Sequence, residues 1–275
     1  MKKLHIIGII CLILILIIAL GIFLVGSPKK DTGDRINILL LGVDARDLQH
    51  PGNTDSISII SIDKSTKEVS LLSIPRDSRV KISGRGIDKI NSAYPYGGLN
   101  ATISTVEDFL GIKIDYYILV NFQEFKNIVD TLGGIYIDIS ANESSQIPEL
   151  NGATGLTKLN GDQTLAYARF RFDSQGDVGR VKRHQKIIQA ITNEFLKPAN
   201  LGKAPTVLSQ LNSNVHTDIP LLETSVLEQL LQGFNLDKGK TAIISGNWTT
   251  INGIVYLIPN NETKEQMVNE LGLRD

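Results

Sequence analysis

Twenty consecutive residues without a charge, Ile6 to Val25, set the first limit on what this chain can be. As a helix they would be about 30 Å long, the thickness of the hydrocarbon core of a bilayer. Lys2 and Lys3 give the run a positive start, as in a secretory signal peptide. A signal core is shorter, roughly 7–15 residues, and ends at a small-x-small cleavage site. Phe23-Leu-Val-Gly-Ser27 does not supply one. Residues 6–25 therefore read as an uncleaved transmembrane anchor, with residues 1–5 before it and a polar linker, 26–35, after it. Lysines stand on both sides, Lys2 and Lys3 against Lys29 and Lys30, so the positive-inside count does not orient the span.

The 275 residues carry 28 Lys+Arg and 29 Asp+Glu, a formal charge of -1. That balance argues against general nucleic-acid binding, which leaves a strongly basic imprint. The single cysteine, Cys11, lies inside the apolar run, which excludes a disulfide framework, a Cys-ligated zinc and a cysteine nucleophile. His5, His50, His184 and His216 are scattered, with no zinc spacing. Gly84-Arg-Gly86 lacks the third glycine of a dinucleotide loop, and no Walker A sequence occurs. Ser61-Ile-Asp-Lys64 matches S-x-x-K but falls at a hairpin turn with no K-T-G after it, which reads as coincidence.

Residues 36–275 contain no second linker, repeat or low-complexity tract and read as one domain. Ile36 to Gly42 is almost wholly apolar and ends at glycine, as a strand buried on both faces does. Ser56–Ile62 and Val69–Ile74 are strand-like and joined by a turn at 63–68. Helices are expected over 99–110, closed by Gly111, and over 122–132, closed by Gly133-Gly134. A third should open at Asn160-Gly-Asp-Gln and run through Ala168, and a long one should cover 177–196 and halt near Pro198. Strands fall at 116–121 and 135–139, and the roughly twenty polar residues that follow read as loop. Further helices are expected over 203–212, 221–233 and 261–271, with strands near 241–245 and 254–258. Strands and helices intermix, so the class is α/β, a mixed central sheet between helical layers.

If the first three strands form an up-down-up meander, one edge of the sheet carries Asp44, Asp55 and Arg76. Two carboxylates at a hairpin mouth with an arginine close by suit a hard cation holding a phosphate. Acidic residues also simply terminate strands, and spacing alone leaves both readings open. Arg169-Phe-Arg-Phe172 is the second signal. On a helix, residues two apart point about 200° away from each other; in an extended chain they share a face. The helix should therefore end near Ala168, with both phenyl rings toward the core and both guanidiniums toward a cavity suited to phosphate oxygens. An exposed edge strand with solvated arginines fits the pattern equally well. Asp177, Arg180 and Arg183 stand at i, i+3 and i+6, able to face the same pocket or to pair within their helix.

Together these stretches resemble the LytR-CpsA-Psr family of bacterial cell-envelope enzymes, over about residues 36–195. The matching segments are Asn37–Asp44 with Arg46, Asn53–Ser56, Ser73–Asp77 and Lys89–Tyr94. Tyr116-Tyr117, Val129–Gly134, Leu159–Gly161, Ala166–Arg171 and Asp177–Arg180 complete the set. The resemblance implies an extracytoplasmic catalytic domain held by one membrane anchor, in the cell membrane of a Gram-positive bacterium. The implied reaction moves a glycopolymer, such as wall teichoic acid or capsule, from a polyprenyl-pyrophosphate carrier to a muramic acid hydroxyl of peptidoglycan. By motif position, Asp44 and Asp55 would hold Mg²⁺, with Mn²⁺ as an alternative. Arg76, Lys89, Arg169, Arg171 and Arg180 would bind the pyrophosphate, with Asp177 beside them. The catalytic set would be Arg76, Arg169, Arg171 and Asp177.

Two positions depart from the family pattern. Asn53 stands where many members carry arginine, which removes one phosphate ligand. His184 stands where many carry glutamine; it can still hydrogen-bond phosphate and, unlike glutamine, can become cationic near neutral pH. The expected chemistry is phosphoryl transfer, which needs positioning and charge neutralisation more than covalent participation by the protein. Asp77 and Asp177 are the candidates for the base. The expected partners are the polyprenyl-pyrophosphate-linked glycopolymer, peptidoglycan and the cytoplasmic membrane, with no nucleic acid. Rival readings are a polyprenyl-pyrophosphate hydrolase and a non-catalytic lipid-pyrophosphate binder. Transcriptional attenuation has no helix-turn-helix pattern to support it.

Overall fold

The apolar pattern of the first three strands builds a meander. β1 (Arg35–Val43) pairs antiparallel with β2 (Thr54–Asp63), and β2 pairs antiparallel with β3 (Val69–Ser73). The computed structural model describes residues 34–43, 52–63, 65–66, 68–170, 176–195, 216–218 and 240–274. Contacts group these residues into two compact units, one made of 34–121, 217–218 and 240–274, the other of 122–170, 176–195 and 216.

In the first unit the register stacks Leu39, Ile59 and Leu72 on one face of the sheet and Ile38, Ile60 and Leu71 on the other. All six are fully buried, so β1 and β2 are interior strands with two apolar faces, as the unbroken Ile/Leu run predicts. A hairpin follows, β4 (Arg79–Ile82) and β5 (Gly86–Lys89), with Gly84-Arg-Gly86 at its turn. The sequence did not announce these two strands, each four residues long. Helix α1 (Ala93–Leu110) begins earlier than its periodicity suggests, because a short N-terminal turn is joined to the main helix across a break at Gly97-Gly98. It ends as expected at Gly111, whose left-handed backbone (φ 62°) closes the last turn. Arg274 donates to the Leu110 and Gly111 carbonyls, so a cation satisfies the helix's C-terminal acceptors.

Strand β6 (Tyr116–Asn121) lies parallel to β1 on the side away from β2. Late segments finish this unit: β10 (Lys240–Ile243), parallel to β3; a separate hairpin of β11 (Gly246–Ile251) and β12 (Ile254–Pro259); and α6 (Asn261–Glu270). With β9 (His216–Thr217) the sheet order is β10-β3-β2-β1-β6-β9, a mixed sheet. Val106 and Leu110 of α1, Val268 of α6 and the trailing Leu271 and Leu273 pack with Leu39, Leu41 and Ile59 in one apolar cluster.

The second unit starts with α2 (Phe122–Thr131) and β7 (Ile135–Ile139). Residues 140–159, expected as loop, instead hold α3 (Ala141–Gln146) and β8 (Gly155–Leu159), antiparallel to β7. Ser140 and Glu143 form a capping box that starts α3, and β8 is largely exposed, with Leu159 buried at its end. Helix α4 (Gly161–Arg169) opens on a second capping box, Asn160 with Gln163, and α5 (Gly176–Phe195) follows. The apolar run 6–25 and the helices expected over 203–212 and 221–233 lie outside the described residues. Among the described residues, no helix is long and apolar enough to cross a membrane.

Candidate active site

The meander does bring its edge residues together. Val43, at the end of β1, pairs with Thr54 at the start of β2 after an irregularity at Gly42/Val43. Ile74 extends β3 by one bond to the Ile57 carbonyl, and Pro75 opens a turn in which the Ser78 N–H donates to the Pro75 carbonyl. That turn aims Arg76 back across the edge, where its Nη1 meets Asp55 Oδ1 at 2.5 Å. Arg76 Nε stands 3.6 Å from Asp77 Oδ2, and Asp77 Oδ1 accepts from Lys89 Nζ at 2.6 Å. The result is a half-buried chain of alternating charge, Asp55–Arg76–Asp77–Lys89. Its backbone is pinned by Ile90 N–H to the Ser78 carbonyl at 2.8 Å and Asn91 N–H to the Arg76 carbonyl at 3.2 Å.

This chain explains what each group can do. Arg76 and Lys89 are held forward by carboxylates, so a pyrophosphate could take over part of their hydrogen bonding without reorganising the backbone. Asp77 has one oxygen toward each cation, the geometry of a bridge between them. Tyr256 of β12 closes the group: Lys89 Nζ lies 5.7 Å and Arg79 Cζ 5.8 Å from its ring centroid. Tyr256 was not among the residues singled out from the sequence, and no local pattern pairs it with Lys89.

A divalent cation at this edge would need hard oxygen ligands, and Asp55 supplies one. Asp44 follows directly on Val43 but lies outside the described residues. Among the described residues, no three His, Cys, Asp or Glu side chains gather in a cation cage.

The second unit holds the other residues of interest. Arg169 is the last residue of α4, one position later than the expected helix end, and the chain turns extended at Phe170 (ψ 136°). Phe170 is buried, as expected. Arg169 is exposed, with its guanidinium 4.0 Å from the Phe122 ring centroid. Arg171 lies outside the described residues, as does the side chain of Asp177 on the first turn of α5. Arg180 and Arg183 are almost wholly buried on α5. Arg183 Nη2 donates to the Phe170 carbonyl at 2.5 Å, and its guanidinium lies 4.9 Å from that residue's ring centroid. His184 Nε2 is 3.0 Å from the Ala168 carbonyl, which can only accept, so this nitrogen carries the proton. Both side chains thus fasten the backbone around Arg169.

Behind that segment sits a buried polar group. The Tyr167 hydroxyl donates to Glu143 Oε1 at 2.8 Å, and Lys186 Nζ donates to the Tyr167 oxygen at 3.2 Å. Burial pushes the Tyr167 phenol far above its ordinary value, and the Glu143 carboxylate adds to the shift. Burial also pushes Glu143 up. Hydrogen bonds from the Ser140 backbone, the Ser140 hydroxyl and Tyr167 outweigh it, and the carboxyl ends below its ordinary value.

A mixed α/β fold with two cations, Arg76 and Lys89, held between carboxylates at one sheet edge suits the handling of a phosphate anion. The sequence pattern of the LytR_cpsA_psr family matches residues 25–272, and the chain belongs to that family. It is 36% identical over 255 residues to a Halalkalibacterium halodurans protein, covering 89% of this chain and 83% of the relative. That relative is named polyisoprenyl-teichoic acid–peptidoglycan teichoic acid transferase TagU. The crystal structure of Bacillus subtilis TagV superposes with a TM-score of 0.73 at 32% identity, covering 89% of this chain and 97% of that one. The structure described as TagT bound to LI-WTA matches with a TM-score of 0.68 at 26% identity, over 90% of this chain and 94% of that one.

Proposed function

We propose that this protein is a phosphotransferase that moves a glycopolymer of the teichoic acid type from a polyprenyl-pyrophosphate carrier to peptidoglycan. The observation that carries this reading is the contact of Arg76 with Asp55 at the meander edge, continued through Asp77 to Lys89. It supplies two forward-held cations for a pyrophosphate, in a family whose relatives are named as teichoic acid transferases.

In the reaction, an acceptor hydroxyl oxygen bonds to the phosphorus that carries the polymer. The bond from that phosphorus to the bridging oxygen breaks, polyprenyl phosphate leaves, and the hydroxyl proton passes to a base. Arg76 and Lys89 bind the phosphates and meet the charge that grows on the leaving oxygens. By motif position, Arg169, Arg171, Arg180 and His184 have the same binding role. Asp77 and Asp177 are the candidates for the base in this proposal. Asp44 and Asp55 would hold Mg²⁺, or Mn²⁺, which when bound would offset phosphate charge. Residues 6–25 anchor the chain, and residues 36–275 work outside the cytoplasmic membrane.

The test is the full chain in lipid nanodiscs with a polyprenyl-pyrophosphate-linked saccharide, with and without peptidoglycan. Polymer joined to peptidoglycan through a phosphodiester is the expected product, lost on chelation and restored by Mg²⁺. Release of free polymer phosphate at the same rate with or without acceptor would replace the transferase with a hydrolase. Protease added to intact protoplasts should digest the domain, and full protection would overturn the orientation.

A further inference from the structure

Arg169 is exposed at the end of α4, yet contacts from two other elements fix where it stands. Its guanidinium carbon lies 4.0 Å from the centroid of the Phe122 ring, a van der Waals separation. Lys89 and Arg79, by comparison, stand 5.7 and 5.8 Å from the Tyr256 centroid, as neighbours of that ring rather than stacked on it. The two carbonyls that flank Arg169 are both held from α5. Ala168 accepts from His184 Nε2 at 3.0 Å, and Phe170 accepts from Arg183 Nη2 at 2.5 Å.

Helix packing brings the ring and the arginine into line. α4 begins against the later part of α2: the Gly161 N–H donates to Asp130 Oδ1 at 2.7 Å, and Lys126 pairs with Asp162. A Cβ on Gly161 would stand 2.6 Å from the Lys126 carbonyl, so glycine is what allows this approach. α4 ends against the start of α2, with Arg169 on Phe122. From Phe122 to Asp130 and from Gly161 to Arg169 the chain advances eight positions each, about 12 Å of helix. The two contacts therefore close equal lengths of an antiparallel pair.

We propose that Phe122 is a positioning residue of the pyrophosphate site, its ring the platform that holds the Arg169 guanidinium ready for a phosphate. The proposal rests on the reading of Arg169 as a pyrophosphate ligand in the transferase above. A guanidinium on an aromatic ring is held through its flat face, while its N–H groups lie in its plane and point out of the stack. Stacking thus sets the direction of the group without occupying the donors that forked phosphate contacts use. An arginine gives up rotamer freedom when it binds, and one already seated on a ring gives up less. Shelter of an apolar ring from water would account for the stack alone. It would not call for both flanking carbonyls to be tied down as well.

The full chain in detergent micelles is titrated with geranyl pyrophosphate by calorimetry. Phe122→Leu should weaken binding about fivefold, and Phe122→Tyr, which keeps the ring, should recover most of that loss. Arg169→Ala should weaken binding about tenfold, and adding Phe122→Leu to it should cost nothing more. A ring that merely supports the fold would weaken binding by the same factor in both backgrounds and lower the urea midpoint in both. That additivity would overturn the proposal. So would wild-type affinity in Phe122→Leu, or in Arg169→Ala, where the platform would have no ligand arginine to serve. Either result in a chain that still joins polymer to peptidoglycan leaves the transferase reading in place. Coupled losses of affinity in a chain that transfers nothing would instead retire that reading and leave the platform standing. A wild-type chain that binds no geranyl pyrophosphate would overturn both.

Discussion

Arg76 and Arg183 show how differently two arginines can serve one protein. Arg76 is half-buried, shared between two carboxylates, and forward enough to meet a ligand. A charge-assisted hydrogen bond to phosphate is worth roughly 1.5–3 kcal/mol. Arg76→Ala should therefore weaken retention of polyprenyl pyrophosphate by about tenfold or more, measured by mass spectrometry of co-purifying lipid, and slow transfer further still. Arg183 is buried and spends its Nη2 on the Phe170 carbonyl. Arg183→Leu leaves that acceptor without its donor, at a cost of about 1–3 kcal/mol seen as a lower urea midpoint. Arg76 was legible in the sequence because three strand-like runs fix which ends share an edge. The anchoring role of Arg183 was not, because its acceptor is a backbone carbonyl thirteen residues earlier, and nothing in a side-chain pattern marks a carbonyl. Tyr256 escaped for a related reason: its partner Lys89 belongs to a four-residue hairpin strand too short to carry a pattern.

At the scale of elements, starts and stops explain more than propensity does. Asn160 caps α4 by accepting from the Gln163 N–H at 2.9 Å, and Gly161 lets the helix approach α2 closely. A Cβ on Gly161 would stand 2.6 Å from the Lys126 carbonyl and 2.8 Å from Asp130 Oδ2. The Gly161 N–H also donates to Asp130 Oδ1 at 2.7 Å. Gly161→Ala should destabilise the protein by about 1–3 kcal/mol through overpacking, whereas Asn160→Ala should cost about 1 kcal/mol from the lost cap. Comparing the two urea midpoints checks the order. The Asn160 box was readable because an apolar-periodic helix follows it. The same signal at Ser140 and Glu143 sat in a polar stretch with no periodicity behind it, so a six-residue helix passed for loop.

For the molecule as a whole, Glu143 links stability to acidity. Folding lowers its pKa, so the stabilisation is present at neutral pH and drains away as pH falls through the folded value, below the ordinary carboxylate range. Glu143→Gln should lower stability at neutral pH and flatten the loss on acidification, read from urea unfolding between pH 7 and 3. A wild-type acid slope in the variant would assign that slope to other carboxylates, of which Asp63, held down to about 2 by its turn hydrogen bonds, is one. The placement of β10 has a further consequence, one of timing. β3 has β2 on one side from early in synthesis, but its other edge is filled only by residues 240–243. Until then a strand whose five residues are all destined for burial offers its bare edge to any passing chain. The edge stays open until those late residues arrive, so a helper that shields nascent strands matters more to this fold than one that speeds local folding.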